Sequence, residues 1–360
     1  MKNTLRFLAA GAALALAPLP PLHADIPANQ PGLLAREFIY EKAPYPECHA
    51  STLVDDGRGG VMAAWFGGVE EKDPSVGIWL AKRRNGSQKW SEGKEVATGV
   101  QPDGTRLPCW NPVLWKDARV PGSPVLLFYK VGPSPSTWWG MVKTSDDNGE
   151  TWSEARKLPE GFLGPIRAKP LFFPPDRLLC PSSTESNDAE RRWEIHFELT
   201  DPQAKEWQRI AVPRPEGADH TFRTIQPTLL RHAEGRLQFL ARSNQGQLAE
   251  SWSEDEGKTW SAITLSTRPN PDSGADAVTL RDGRHLLISN PTGKGGKRTP
   301  LTIATSRDGK EWKEALVLEN DPGEYSYPAI IETSDGKVHA TYTWKRERIR
   351  HVVIDPAQLE

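Results

Sequence analysis

Short apolar runs, each opened by a polar residue and followed by a turn, recur along the whole chain. They begin at His49 ("HASTL"), Asn111 ("NPVLW"), Lys169 ("KPLFF"), Gln226 ("QPTLL"), Asp276 ("DAVTL") and Tyr327 ("YPAII"), spaced by 62, 58, 57, 50 and 51 residues. Most lead into an Asp-Gly or Glu-Gly turn and a second apolar strand, such as "GVMAAWFGG", "RLQFLARS", "RHLLISN" and "KVHATYTW". Apolar runs of this length bounded by turn residues predict strands.

A second series interleaves with the first. "SDDNGETW" (Ser145–Trp152) and "SEDEGKTW" (Ser253–Trp260) share the pattern Ser-x-Asp-x-Gly-x-Thr-Trp, and "SRDGKEW" (Ser306–Trp312) is one residue shorter. Degenerate copies end at Trp90 and Trp207, so the five tryptophans lie 62, 55, 53 and 52 residues apart. Asp and Ser side chains bond nearby backbone amides in such turns, Gly supplies a left-handed position, and Trp covers the hairpin end. Several strands per unit of 50–62 residues predict β-propeller blades, and six starts predict an all-β, six-bladed β-propeller. The last repeat lacks a Trp-terminated outer strand, which "REFIYE" (Arg36–Glu41) is expected to supply, closing the ring.

Composition agrees with short strands joined by turns: 32 Pro, 30 Gly and 14 Trp. Lys2 and Arg6, the apolar "FLAAGAALALAPLP" and the small-residue "LHA" before Asp25 predict a secretory signal peptide over residues 1–24. The expectation is one domain over residues 25–360, periplasmic or secreted. No segment has the length of a membrane span. The net charge of −2 gives no basic footprint, so neither nucleic acid nor membrane is expected as a partner. Cys48, Cys109 and Cys180 have no metal-ligand spacing, no zinc or EF-hand pattern appears, and no cofactor is expected. The cysteines are expected to be buried.

In a propeller the innermost strands border a central channel, so their leading residues converge. Here these are His49, Asn111, Lys169, Gln226, Asp276 and Tyr327, with no large aliphatic among the six. A convergent polar ring in a concave site points to binding or catalysis.

At these residues the chain resembles the sialidase (neuraminidase) superfamily, in its divergent BNR-repeat branch, over essentially all of residues 45–354. Sialidases carry a nucleophilic tyrosine that opens a strand leading to an Asp-Gly turn, and Tyr327 stands in that relation to Asp335–Gly336, with Tyr325 as a neighbouring candidate. "FLARSNQG" puts Arg242, and "GGKRTPLTIATSRDG" puts Arg298, at the second and third carboxylate-binding arginines. A guanidinium fork suits a substrate carboxylate. The loop "FGGVEEKDPSVGIW" offers Glu70, Glu71 and Asp73 where sialidases hold their acid/base; Asp73 is the first choice and Glu71 the reserve. The resemblance implies an exo-glycosidase that cleaves a terminal acidic sugar, its carbohydrate substrate carrying a carboxylate. A phenol avoids the repulsion that a carboxylate nucleophile would meet there.

The chain departs from the superfamily twice. "CHASTL" places His49 where the first arginine belongs, and Gln226 stands where the glutamate that activates the tyrosine belongs. Glutamine cannot take the proton of a phenol whose pKa is about 10. His49, with an ordinary pKa near neutrality, could instead serve a polysaccharide lyase or rhamnosidase-like hydrolase acting at uronic acids. A glycan-binding propeller without turnover is the third reading. Asn111, Lys169, Gln226 and Asp276 are expected to line the channel as substrate-binding groups, and Trp65, Trp110, Trp138 and Trp139 could stack on sugar rings or pack in the core.

Overall fold

The structure is a computed structural model and describes residues 29–359; the expected leader, residues 1–24, lies outside the described residues. Six four-stranded sheets make six blades, each built of antiparallel neighbours. Blade 1 runs from Glu47–Asp55 to Lys94–Ala97, blade 2 from Cys109–Trp115 to Arg156–Lys157, and blade 3 from Leu171–Phe173 to Trp207–Ala211. Blade 4 runs from Thr224–Arg231 to Thr264–Pro269 and blade 5 from Asp276–Thr279 to Lys313–Glu319. Blade 6 takes three strands, Tyr325–Glu332, Val338–Trp344 and Arg348–Ile354, from the end of the chain. Its outer strand is Leu33–Phe38, which pairs antiparallel with Arg348–Ile354. No helix among the described residues is long and apolar enough to cross a membrane.

The Asp-containing turns behave as their side chains dictate. Ser145 Oγ donates to Asp147 at 2.8 Å and accepts the Gly149 amide at 2.7 Å, while Asp147 takes the amides of Glu150 and Thr151. The turns at Ser253–Trp260 and Ser306–Trp312 repeat this pattern. Between blades the contacts are apolar: Met62, Ile78 and Leu80 of blade 1 pack with Leu114, Leu127 and Tyr129 of blade 2. Cys48, Cys109 and Cys180 are buried free thiols within such contacts.

Four innermost strands carry the same irregularity. Register shifts fall between His49 and Thr52, Trp110 and Val113, Ile225 and Thr228, and Ser326 and Ala329. Inside each, one residue has positive φ: Ala50 (55°), Asn111 (35°), Gln226 (59°) and Tyr327 (49°). Such a bulge re-aims a side chain out of the sheet plane and toward the axis. It also corrects the ring expected from spacing. By register, Ala50 and not His49 is the counterpart of Asn111, Gln226 and Tyr327.

Asp276 belongs one level deeper. Its carboxylate accepts Thr228 Oγ1 at 2.6 Å, the Ile330 amide at 2.9 Å and Lys169 Nζ at 3.0 Å. Lys169 and Asp276 thus form an ion pair that ties blades 3 to 6 together below the funnel. Arg167 and Gly274 take the upper places. A Cβ on Gly274 would lie 3.3 Å from Arg167 Nε and 3.5 Å from Gln226 Oε1.

Candidate active site

Tyr327 sits in a left-handed conformation immediately before Pro328, a combination that a side-chain-bearing residue adopts only when its surroundings force it. Its neighbours do so. The hydroxyl oxygen accepts Arg242 Nη1 and Gln226 Nε2, each at 3.2 Å. Arg167 and Arg298 lie 5.6 and 5.8 Å from its ring centroid, and the His49 ring is 4.3 Å away. Arg242 Nη1 also donates to Gln226 Oε1 at 3.5 Å, which fixes the amide so that its NH₂ faces the tyrosine.

Each guanidinium is held by a different device. Arg242 donates Nε to Asp272 at 2.8 Å and rests over the Trp193 ring at 5.4 Å. Arg167 is buried, donating to the Pro328 carbonyl at 2.6 Å and to the Ala275 carbonyl, with its Nε unpaired. Arg298 donates to Glu324 at 3.0 Å, and the Tyr325 amide returns to the Arg298 carbonyl at 3.0 Å. Burial alone would raise the Glu324 carboxyl, but Arg298 and Arg346 more than offset it and hold it below the usual range.

Arg346, like Arg167, is a residue that sequence reasoning missed. It lies in the hairpin between the last two strands of blade 6, where Lys345 and Arg346 both have positive φ (52° and 61°). Its carbonyl takes the Cys48 amide at 2.7 Å, which sets it beside His49. Its side chain donates to Glu71 at 2.6 Å and to Glu324 at 3.3 Å. Where the resemblance expected a first arginine at position 49, a guanidinium therefore reaches the same neighbourhood from the far end of the chain. The basic run "WKRER" between two apolar strands was the available signal.

His49 is 3 % exposed, and its Nδ1 has no partner. Burial, then the charges of Arg346, Arg298, Arg167 and Arg242, push its pKa well below 6.5. It is a neutral imidazole at physiological pH, not the near-neutral acid/base that the sequence suggested. Its ring packs on Phe66 as well as on Tyr327, with centroids 5.7 and 4.3 Å apart.

The remaining expected site residues separate clearly. Asn111 is buried and its carbonyl faces Lys130 Nζ at 3.5 Å. Asp73 caps its own loop, accepting the Ser75 amide at 2.7 Å; that side chain and amide hold its carboxyl below the usual range. Glu71, the reserve, is the loop carboxylate that touches Arg346. Tyr325 is fully buried in the contact between blades 5 and 6. A carboxylate not foreseen, Glu185 of blade 3, has its pKa raised by burial and by Asp272 and Glu71, against the charge of Arg242 and a bond from Trp193. Among the described residues no group of three or more His, Cys, Asp or Glu has the arrangement of a metal site.

The arrangement can hold an anion between several guanidiniums, above a phenol whose oxygen already receives two donors. Comparisons with known proteins agree with the fold. The chain is 25% identical over 256 residues to an anhydrosialidase from Macrobdella decora, covering 62% of this chain and 32% of that protein. It thus spans about a third of that relative's length. A Streptococcus pneumoniae sialidase structure superposes with TM-score 0.69 at 13% identity, covering 93% of this chain and 72% of that one. An alpha-L-arabinofuranosidase from Fusarium graminearum gives 0.68 at 15% identity, covering 91% and 99%. The fold is thus one that glycoside hydrolases use. Residues 59–340 match the BNR repeat-like domain, and the chain belongs to that family.

Proposed function

We propose that the protein is a sialidase-type exo-glycosidase that releases a terminal acidic sugar from a glycan. The carrying observation is the placement of Arg242 and Arg298 at Tyr327, with Arg346 joined to Arg298 through Glu324. Glu324 is shared by Arg298 and Arg346 and Glu71 also pairs with Arg346, so the charges of this cluster balance, but the two guanidiniums keep N–H donors that these carboxylates do not take up. A carboxylate on the anomeric carbon would complete them, bidentate and charge-assisted. The arabinofuranosidase shows that this fold serves glycosides of more than one kind, so the acidic substrate rests on the arginines alone.

In this reading the sugar carboxylate lies against Arg298 and Arg346, and the Tyr327 oxygen attacks the anomeric carbon as its phenol proton passes to a solvent water. The donors Arg242 and Gln226 carry the negative charge on that oxygen. The glycosidic C–O bond breaks, and its oxygen takes a proton from a carboxylic acid. Glu185 suits that step better than Asp73, because burial favours its protonated form while Asp73 is held ionised. Water then releases the sugar from Tyr327, with the same carboxylate accepting a proton from that water and the departing phenolate regaining its proton from solvent. His49 serves as a neutral wall against the phenol ring.

Gln226 favours a second reading, a glycan-binding propeller without turnover. Both groups bonded to the Tyr327 hydroxyl are donors to it, and neither is a carboxylate that could take its proton. Incubation with an activated fluorosugar of sialic acid, followed by peptide mass spectrometry, separates the two. The proposed enzyme gives a glycosyl adduct on the Tyr327 peptide. An unlabelled chain that still binds sialic acid supports the binding protein instead.

A further inference from the structure

The chain carries a net charge of −2, and several exposed arginines stand beside carboxylates: Arg177 beside Glu256, Arg192 beside Asp188 and Arg284 beside Asp282. A groove between blades 4 and 5 departs from this balance. Its volume is about 570 Å³, inside the range of about 300–1,000 Å³ typical of ligand sites. Its walls are the hairpins that follow the innermost strands Thr224–Arg231 and Asp276–Thr279, together with the Asp-containing turn of blade 5. Those strands begin at the funnel and end at these hairpins, so the groove opens on the opposite face.

Five exposed cationic side chains line it, Arg231, Arg236, Arg281, Arg307 and Lys310, with Asp308 as the carboxylate among them. Two are engaged at the ends of the groove. Arg231 donates to the Phe172 carbonyl at 3.1 Å and lies 4.5 Å over the Phe173 ring, and Arg281 donates to the carbonyls of Thr333 and Ser334 at 2.7 and 3.2 Å. The other three remain available. Arg236 meets Glu254 only at 4.0 Å, and among the described residues neither Arg307 nor Lys310 forms an ion pair. With Glu254 set against Arg236, Glu332 against Arg281, and Asp308 counted as well, five cations face three carboxylates. Two positive charges are left without a partner.

The floor beneath them is held in place. Gln238 donates to Glu250 at 2.6 Å and to the Gly309 carbonyl at 2.9 Å, which ties blade 4 to the turn that carries Arg307 and Lys310. Its Oε1 therefore faces His232 Nε2, at 3.2 Å. The His232 ring packs 4.8 Å from Trp252 and 4.4 Å from His285, and Arg236 and Lys310 lie 5.9 and 5.3 Å from the same Trp252 ring. Thr279 Oγ1 accepts the Arg231 amide at 2.9 Å, which frees its hydrogen for His285 Nδ1, also at 2.9 Å. A carboxylate brings one charge and two oxygens, too little for this set of donors. A phosphate monoester brings about −1.5 to −2 charges at pH 7 and three strong acceptor oxygens. We propose that this groove binds a phosphate group, as the free ion or as a monoester on a sugar. The groove is larger than a phosphate alone, which favours the sugar-borne form. The inference does not rest on the funnel reading.

The full chain is titrated by calorimetry at low salt, where exposed charges are least screened, with glucose 6-phosphate, inorganic phosphate and glucose 6-sulfate. Glucose 6-phosphate is expected to bind, and the double variant Arg307→Gln, Lys310→Gln to weaken it by about ten-fold or more. Both side chains are exposed and outside the bonds that shape the turn, so the variant should fold; Arg236→Gln is the second probe of the same site. Arg298→Ala, on the opposite face, should leave the affinity unchanged. Tighter binding of glucose 6-phosphate than of inorganic phosphate supports the sugar-borne ligand, and equal binding supports the free ion. No binding of either phosphate overturns the proposal. So does binding that Arg298→Ala removes and the groove variants keep, which would place the phosphate in the funnel. Glucose 6-sulfate, with a single charge, should bind more weakly; equal affinity would overturn the need for a doubly charged group.

Discussion

The side-chain amide of Gln226 donates to the hydroxyl of Tyr327 at 3.2 Å, and Arg242 fixes the orientation of that amide. A glutamate in the same place would keep the Arg242 contact and add a proton acceptor. Gln226→Glu is therefore expected to raise kcat on a fluorogenic sialoside by about 10²-fold, the lower range of a positioned general base. The comparison is of initial rates at saturating substrate. An unchanged or lower kcat would mean that Tyr327 is not limited by loss of its proton.

Arg346 and Arg298 share Glu324 as an anchor. Removing either guanidinium should weaken substrate binding by about 10- to 100-fold, the worth of a charge-assisted hydrogen bond. Arg346→Lys should behave nearly as badly as Arg346→Ala, because an ammonium lacks the fork. KM values for the three variants decide this. If Arg346→Ala binds as the wild type does, the residue belongs to the loop packing around Glu71 and not to the clamp.

Five histidines, His49, His232, His285, His339 and His351, have pKa values lowered, chiefly by burial; His285 falls to about 4 and His339 to about 3. Below about 6.5 the unfolded chain takes up protons at these positions and the folded chain does not. Their stabilising effect is complete above that pH and is lost as pH falls, each by at most about 1.4 kcal/mol per pH unit. The Tm should drop steeply as pH falls from about 6.5 to about 4, and His339→Gln should flatten the drop. A Tm that is level across this interval would exclude the buried neutral state.

Asp276 joins the bulged strands below the funnel through Lys169, Thr228 and Ile330. Asp276→Ala leaves the half-buried Lys169 with only the Ala277 carbonyl and takes the acceptor from Thr228 and the Ile330 amide, and should lower unfolding free energy by about 1–3 kcal/mol. Denaturant titration measures this directly. A loss within experimental error would mean that the pair is solvated and contributes nothing to joining the blades.

The blade count was legible in the sequence because a turn with fixed chemistry recurs, intact in three blades and degenerate in two, between evenly spaced inner strands. Ser145, Asp147 and Gly149 must stand at set intervals to bond one another, and the same spacing recurs around the ring. The depth of each inner residue was not legible. A β-bulge adds one residue to a strand without changing its composition, so spacing placed His49 level with Tyr327, where register puts Ala50. In blade 5 it is Gly274, not Asp276, that lies beside Arg167 and Gln226. Arg346 was hidden for a different reason: it reaches blade 1 from a hairpin that sequence position sets 275 residues away from Glu71. Gln226 was visible as a departure, but only coordinates show its amide turned toward Tyr327.

The most direct measurement is release of free acidic sugar from a fluorogenic sialoside by the wild type and by Tyr327→Phe, with each product identified by mass. Turnover by the wild type, and its loss in a variant that folds normally and still binds free sialic acid, is the expected result. Equal turnover by both proteins, or an unsaturated ultraviolet-absorbing product, would contradict Tyr327 as the nucleophile.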